Sequence, residues 1–417
     1  MSQLGRYRTG NQALMREMNL SVIMHHLREH APISRAALAE MTGLNKTTVS
    51  SLVGELIEHQ FVRELGLTLA GSGRPATLLE LNPAAGYIVS VEIGVDFISA
   101  ICTNFAVEVI WRHKESTRRA MSRAAMMDRT LTLLRHAVEA GRAAHCNTLL
   151  GLAVGVPGLV DQASGNLLFA PNMGWKDIPL KTILGEAFDA PVFVYNEANM
   201  AALGEVYFGA AQGHDEVLYI SAGVGLGGGI VRGGQLCDGA AGFAGEFGHM
   251  TMDPDGEPCN CGNRGCWETQ VSQWAVFRAI RLAISQGRAS LLSDMTGGDL
   301  DRLTIPLVVE AARAGDALAL ETFEMVGRYL GIGIASLLNA LNPDVVVLGG
   351  ILSLAGEFIL PAVHQELERR ALRWNQSAAQ VVLARHGSDA CVMGGIATVY
   401  HTVLAQPSNL ARVERDL

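Results

Sequence analysis

The chain has 417 residues, rich in aliphatic and modest in aromatic side chains, with a formal net charge of −9; that length allows two or three domains with full cores. Its seven cysteines are an odd number, and Cys102, Cys146, Cys237 and Cys391 lie scattered, which excludes a secreted disulfide framework. The opening MSQLGRYRTG lacks a signal-peptide pattern, and the most apolar stretch, 345–363, is broken by Gly349, Gly350, Gly356 and Glu357 and reads as a buried strand and loop, so a soluble, cytoplasmic protein with no membrane partner is expected.

Charge is uneven along the chain. Residues 1–85 hold eight Lys/Arg and seven Asp/Glu, whereas the remainder holds 24 and 34. Only the N-terminal segment can sit comfortably on a polyanion. Within it, Leu20, Ile23, Met24 and Leu27 recur at helical spacing. Ser34 is a suitable N-cap for a second, short helix carrying Ala37, Leu38 and Met41, and Thr42-Gly43 makes a turn. A third helix starting near Asn45 places Val49, Leu52, Val53, Leu56 and Ile57 on one face, leaving Asn45, Lys46, Thr47, Thr48, Ser50 and Ser51 on the other.

A short helix, a glycine turn and a longer helix with small polar residues at its start is helix-turn-helix grammar. Ser34, Arg35, Asn45, Lys46, Thr47, Thr48, Ser50 and Ser51 are therefore candidate DNA contacts. Small side chains let the helix approach base edges, and Lys46 can neutralise a phosphate. A three-helix interaction module is the alternative. Two extended runs, 61–65 and 76–81, then flank a glycine-rich turn, as the wing of a winged helix would. Arg74 in that turn suits a narrow minor groove, and equally suits an ordinary solvated hairpin.

After Pro83 the pattern changes. GYIVSVEIGVDFISAICTNFAVEVIWRH reads as three strands, residues 121–143 as a long helix, and TLLGLAVGVPGLVD as a buried strand. Residues 88–101 and 217–230 share a strand, Gly-Val, strand pattern, which suggests two lobes built alike with a cleft between them. The stretch HMTMDPDGEPCNCGNRGCWE, 249–268, holds one histidine and three close cysteines. In a reducing compartment such a cluster favours a metal site over a disulfide. Three thiolates and an imidazole would make a closed tetrahedral zinc site with no open position.

GVPGLVD, NEANMAALGE, AGVGLGGGIV, AGEFGHM, CNCGNRGCWE and LLNALNPDVVVLGG together resemble the ROK family (repressors, open reading frames, kinases) of the actin/hexokinase-like superfamily, over nearly all of residues 20–400. With LNKTTVSSLVGELIE in front, the chain is similar in particular to xylose-type repressors. The resemblance implies a mostly α winged helix-turn-helix domain at 1–82 and a two-lobed, ribonuclease H-like α/β body. The first lobe would be 83–200 plus 387–405, and the second 201–386, with the metal site and a dimerisation surface. It implies one structural zinc ion per chain on His249, Cys259, Cys261 and Cys266. It also implies sugar contacts from Gly158, Asn196, Glu197, Glu246, His249 and Glu268. Carboxylates can accept two hydroxyl bonds, and a metal-bound histidine can offer its second ring nitrogen.

The chain departs from the family kinases at two places. Their phosphate-binding loop, Asp-x-Gly-Gly-Thr-Lys, is replaced by Glu92-Ile93-Gly94-Val95-Asp96-Phe97, which sets a carboxylate near the nucleotide phosphates. Their catalytic Asp is replaced by Glu197, and a base misplaced by about 1 Å can cost roughly 100-fold in rate. The glycines of the second loop, Gly223, Gly225 and Gly227, survive, although strand packing alone would explain them.

These features imply a sugar-responsive repressor and no enzyme. Each protomer of a homodimer, or of a larger tetramer, would read half of a palindromic operator. D-xylose is expected ahead of glucose, because the longer Glu197 can reach into the space left by the missing hydroxymethyl group. An ATP-dependent sugar kinase with an accessory DNA-binding domain is the alternative, and a constitutive DNA-binding protein with a fossil sugar fold is a third reading.

Overall fold

The computed structural model describes residues 12–67, 76–117, 121–146 and 148–407. Three helices open it: α1 (Gln12–His30), α2 (Arg35–Thr42) and α3 (Lys46–Glu58). Leu20, Ile23, Met24 and Leu27 of α1 are buried with Leu38 of α2 and Val49, Leu52, Val53 and Leu56 of α3, so the helical periodicity becomes the core of the head. Ser34 caps α2 by accepting from the Ala37 N–H at 3.2 Å, and Asn45 caps α3 by accepting from the Thr48 N–H at 2.8 Å. Met41, expected on the buried face of α2, is 43% exposed. Leu38, Ala39 and Thr42 form the inward stripe instead, which turns position 41 about 100° away from its centre. β1 (Ile33–Ser34), β2 (Val62–Leu67) and β3 (Thr77–Leu81) complete the head as an antiparallel sheet of order β1-β3-β2.

Two five-stranded sheets follow. The first contains β4 (Tyr87–Ile93), β5 (Phe97–Asn104) and β6 (Val109–Ser116); then, after α4 (Arg123–Ala143), β7 (Leu149–Val156). A small side sheet is made by β8 (Leu159–Asp161), β9 (Asn166–Ala170) and β10 (Trp175–Ile178). α5 (Leu180–Ala187) leads to β11 (Val192–Asn196), the outer strand of the first sheet, and directly into α6 (Glu197–Phe208). The second sheet starts with β12 (Glu216–Ala222), β13 (Leu226–Arg232) and β14 (Gln235–Leu236). A helical stretch comprises α7 (Glu268–Val271), α8 (Gln273–Ser285), α9 (Leu291–Met295), α10 (Ile305–Arg313) and α11 (Ala317–Leu341). β15 (Val345–Gly349), α12 (Gly356–Arg370), α13 (Arg373–Ala378), β16 (Gln380–Leu383) and α14 (Ala390–Ala405) end the fold.

The strand orders β11-β7-β4-β5-β6 and β16-β15-β12-β13-β14 are the same topology twice: two parallel pairings, then two antiparallel ones. The weak internal repeat in the sequence is the β4–β5 hairpin and its counterpart β12–β13. The segment 345–363, read as strand and loop, is strand only to Gly349 and helix from Gly356. Glu357 in the first turn suits a helix start, where the dipole favours negative charge.

Two helices lie between the sheets: α14 packs on β4 and β7, and α6 packs on β12 and β13. They meet backbone to backbone. A Cβ on Gly394 would overlap the Met200 carbonyl oxygen, and one on Gly204 would lie 2.5 Å from the Ala390 carbonyl oxygen. α6 runs unbroken through residue 200, where the sequence suggests a lobe boundary. The buried cluster of the head continues without a gap through Phe105, Ala201 and Tyr400 of the body. Among the described residues no helix is long and apolar enough to cross a membrane.

Gly394→Ala is expected to lose about 3 kcal/mol or more of stability by overpacking this contact. Gly185→Ala, at an open position within α5, is expected to gain about 0.5–1 kcal/mol. Urea unfolding of both variants checks the contrast; equal stability of the two would remove the argument.

Candidate functional site

His249 closes a 3-10 turn, 247–249, and the three cysteines sit on the loop that follows. Backbone bonds fold that loop on itself: Cys259 N–H to Asn263 O at 2.9 Å, Gly262 N–H to Cys259 O at 3.0 Å, and a bridge pairing Thr251 with Cys266. The buried Trp267 anchors it, donating from Nε1 to the Tyr329 carbonyl of α11 at 2.9 Å. One donor atom from each of His249, Cys259, Cys261 and Cys266 lies within 4.8 Å of the others. Sγ of Cys261 and of Cys266 are 3.7 Å apart, as are Sγ of Cys259 and Nδ1 of His249. A tetrahedron with metal–sulfur bonds of about 2.3 Å has edges of about 3.8 Å, so the set fits a tetrahedral ion. Burial pushes the Cys259 thiol up, and it donates to Glu268 Oε1 at 2.8 Å. A bound cation would supply the charge that holds such thiols ionised.

With Nδ1 of His249 facing the thiols, Nε2 points toward Glu246 Oε2, 3.9 Å away. Glu268 Oε1 lies 3.8 Å from the same histidine's Nδ1, and its Oε2 accepts from the Leu226 N–H at 3.4 Å. Glycine at 225 makes room for this: a Cβ there would lie 2.6 Å from Glu268 Oε2 and 3.0 Å from Asn172 Nδ2. Burial raises the Glu246 carboxyl, and His249 partly offsets that.

Across from this group, Asn196 caps α6, accepting from the Ala198 and Asn199 N–H groups at 2.8 and 3.2 Å, and its amide donates to the Gly158 carbonyl at 3.1 Å. Gly158 has φ 104°, and a Cβ there would collide with the Phe169 carbonyl oxygen, so no other residue fits that turn. Glu197 opens α6. Its Oε2 is buried without a hydrogen-bond partner, and its Oε1 lies 3.5 Å from where a Gly227 Cβ would be. Burial, then the neighbouring Glu92 and Glu246 carboxyls, push Glu197 up to about 8. Contacts thus link Gly158 with Asn196 and the start of α6, and Glu246 with His249 and Glu268, while the Glu246 carboxyl is near enough to Glu197 to help raise it.

Two residues join this group without having been singled out as contacts. Glu92 is buried on β4, raised to about 7 by burial, with Lys114 and a hydrogen bond from Cys391 partly opposing. A glutamate inside the apolar run YIVSVEI was the available signal, because carboxyls are almost never fully buried unless paired. Asn172 accepts from the Asn260 amide at 2.8 Å, which ties the β9–β10 turn to the cysteine loop; its sequence context signalled only a turn. In the first glycine loop the Phe97 ring covers Gly94, where a Cβ would lie 2.5 Å from it, and Lys114 Nζ sits 4.4 Å above the ring centroid.

In the head, Lys46, Thr47, Ser50 and Ser51 are exposed at the start of α3, and Thr48 is half-buried. Ser34 and Asn45 are engaged as caps, and Arg35 pairs with Glu64 at 2.8 Å. Arg74 lies outside the described residues.

The Glu197 carboxyl has a reference value of 4.5 and a folded value of about 8. A raised carboxyl favours the folded state while protonated, so its cost is absent below about pH 4.5 and grows as pH rises toward about 8. Glu197→Gln, which cannot ionise, should therefore melt above the unsubstituted protein at about pH 8, with the gap closing toward about pH 5. Scanning calorimetry measures this, and a gap independent of pH would contradict it.

Residues 88–402 match the ROK family, and residues 20–66 match the IclR helix-turn-helix domain. The xylose repressor of Caldicellulosiruptor bescii is 32% identical over 398 residues, covering 95% of this chain and 99% of that protein. The crystal structure of a ROK family transcriptional regulator, a homologue of E. coli MLC protein, is similar with a TM-score of 0.79 and 28% identity, over 94% of this chain and 97% of that one. A ROK family glucokinase from Streptomyces griseus, solved with glucose and AMPPNP, has a TM-score of 0.67 and 33% identity, over 74% of this chain and 98% of that one. The chain belongs to the ROK family, with a helix-turn-helix head of IclR type in front of a sugar-kinase-like α/β body.

Proposed function

We propose that the protein is a sugar-responsive transcriptional repressor: residues 1–82 hold operator DNA, and sugar bound between the two sheets releases it. The observation that carries this reading is the single continuous core that joins an exposed helix-turn-helix to a ROK body, in which Asn196, Glu197, Glu246 and Glu268 are residues of a kind that can bond hydroxyls. Full-length similarity to a xylose repressor supports it. We further infer a homodimer on a palindromic operator, which would set two α3 helices in successive major grooves.

Chemistry at Glu197 favours binding over phosphoryl transfer. A carboxyl raised to about 8 is mostly protonated at neutral pH, so it donates to a sugar oxygen more readily than it removes a proton. Glu92 and Asp96 set carboxyls beside the loop that would meet nucleotide phosphates, and the Phe97 ring covers its glycine. The same Glu197 supports D-xylose ahead of glucose. Its buried Oε2 lacks a partner, and a pentose leaves it room to take a ring hydroxyl. A hexose would displace it or leave it unpaired, at about 1–3 kcal/mol.

The metal in this reading is one zinc ion per chain. It is structural, because His249 and three cysteines fill a tetrahedral shell and leave no position for a reacting water. Elemental analysis should find about one zinc per chain. Cys261→Ser should lower both zinc content and melting temperature; metal-free protein of unchanged stability would refute the structural role.

Operator titrations test the function. Lys46→Ala should weaken binding to all sequences and reduce the salt slope by about one unit. Saturating D-xylose should lower operator affinity, and Glu197→Asp should move sugar preference toward glucose. Xylose-independent operator binding, or ATP-dependent phosphorylation of either sugar, would overturn the reading, the latter in favour of a kinase.

A further inference from the structure

α6 runs from the polar site to the head. Its first turn holds Asn196 as cap and Glu197, the residues of the polar site, and its last turn holds Tyr207 and Phe208. Twelve residues of α-helix make a strut about 18 Å long. Its bed is made of small side chains. Ala198 packs on Gly227, where a Cβ would lie 2.9 Å away, and Ala202 packs on Gly229, at 2.8 Å. Gly204 meets α14 in the same manner. Small residues leave few interlocking knobs to resist a slide of an ångström or two, the scale of helix shear in switching proteins.

The far end of α6 rests on the DNA-binding head. The Arg28 guanidinium of α1 sits 5.7 Å above the Tyr207 ring. Arg28 Nη1 is buried with no hydrogen-bond partner, while Nη2 reaches Glu29 at 2.6 Å. The guanidinium therefore leans on the ring face for part of its compensation, an arrangement that depends on distance and angle. Tyr207 is also edge-on to His401 of α14 at 5.5 Å, and His401 is 6.1 Å from His25 of α1. Beside them, Phe208, Tyr400, Phe105 and Phe61 form a second series of ring contacts, at 6.2, 5.4 and 5.5 Å, that ends at the root of the wing.

We propose that α6 carries the state of the polar site to the DNA-binding head, with the Arg28–Tyr207 contact as the coupling element. Sugar bound at Glu197 and Asn196 draws the first turn of α6, the helix shifts along its small-residue bed, and Tyr207 moves under Arg28. The head then reorients relative to the body. This rests on the sugar-responsive reading above and names the route that the response takes.

The test measures coupling apart from binding. The probes are D-xylose, D-glucose and a duplex that the unsubstituted protein enriches from a random-sequence pool. Calorimetry gives sugar affinity, and fluorescence anisotropy gives duplex affinity with and without saturating sugar. Arg28→Met and Tyr207→Leu should each bind sugar and free duplex about as tightly as the unsubstituted protein, yet lose about fivefold or more of the sugar-induced drop in duplex affinity. The double variant should lose no more than the stronger single one, because both remove one contact. Tyr207→Phe, which keeps the ring, should retain the response. Retained sugar affinity shows that each variant is folded. Full response in Arg28→Met and Tyr207→Leu overturns the coupling role while leaving the repressor reading intact. Sugar that binds the unsubstituted protein without changing duplex affinity overturns both.

Discussion

The close approach of α6 and α14 at Gly204 and Gly394 is the constraint on which the rest of the architecture depends. It sets the spacing of the two sheets, since each helix packs on a different one. With the helices in backbone contact, the first turn of α6 falls beside β13, and Glu197 can face Gly227. The other end of α14 presents Tyr400 and His401 to the head. A single methyl group at position 394 would force the helices apart and disturb all three relations together. Glu205 reinforces the arrangement from inside. Its fully buried carboxylate accepts from the Ala210, Arg385 and His386 N–H groups, at 2.8, 3.0 and 2.9 Å, and so ties the end of α6 to the approach of α14.

The electrostatics of the site follow from crowding. Glu92, Glu197, Glu246 and Glu268 share one region, and burial raises the first three. Their nearby cationic groups are few: Lys114 acts on Glu92 and His249 on Glu246. Burial makes Glu92 and Glu197 in particular keep their protons to higher pH, and a protonated carboxyl both donates and accepts. A neutral polyol, whose hydroxyls do the same, is the ligand chemistry that such a lining would suit on the proposed reading. The cysteine loop contributes by position: it carries Glu268 beside His249, and the buried Trp267 anchors it to α11.

Much of this was legible because it is local. The spacing of Leu20, Ile23, Met24 and Leu27, the caps at Ser34 and Asn45, and the turn residues between strands each act within a few positions. The cysteine spacing was legible for the same reason, and the repeat at 88–101 and 217–230 exposed the doubled sheet. What escaped notice depends on partners far along the chain. Cys391 meets Glu92 from another element, Asn260 meets Asn172 across the site, and Met41 turns outward because its neighbours on α2 claim the core. The helix at 356–370 was hidden by glycines that read as a loop but stand at its start. The six candidate residues were named through family motifs, which carry long-range geometry that periodicity cannot.

The unbroken core between head and body bears on how such a protein can change over evolutionary time. A domain on a flexible linker can be exchanged for another by recombination at the linker. Here Phe61 packs on Phe105, and α1 lies against α14, so a foreign head would arrive without the complementary surface. The seam would then expose aromatic rings in both partners of the chimera. On the proposed reading, new DNA specificity is more accessible by substitution on the outer face of α3, at the exposed Thr47, Ser50 and Ser51. The outer face of the head is thus free to diversify, while its mounting on the body is held.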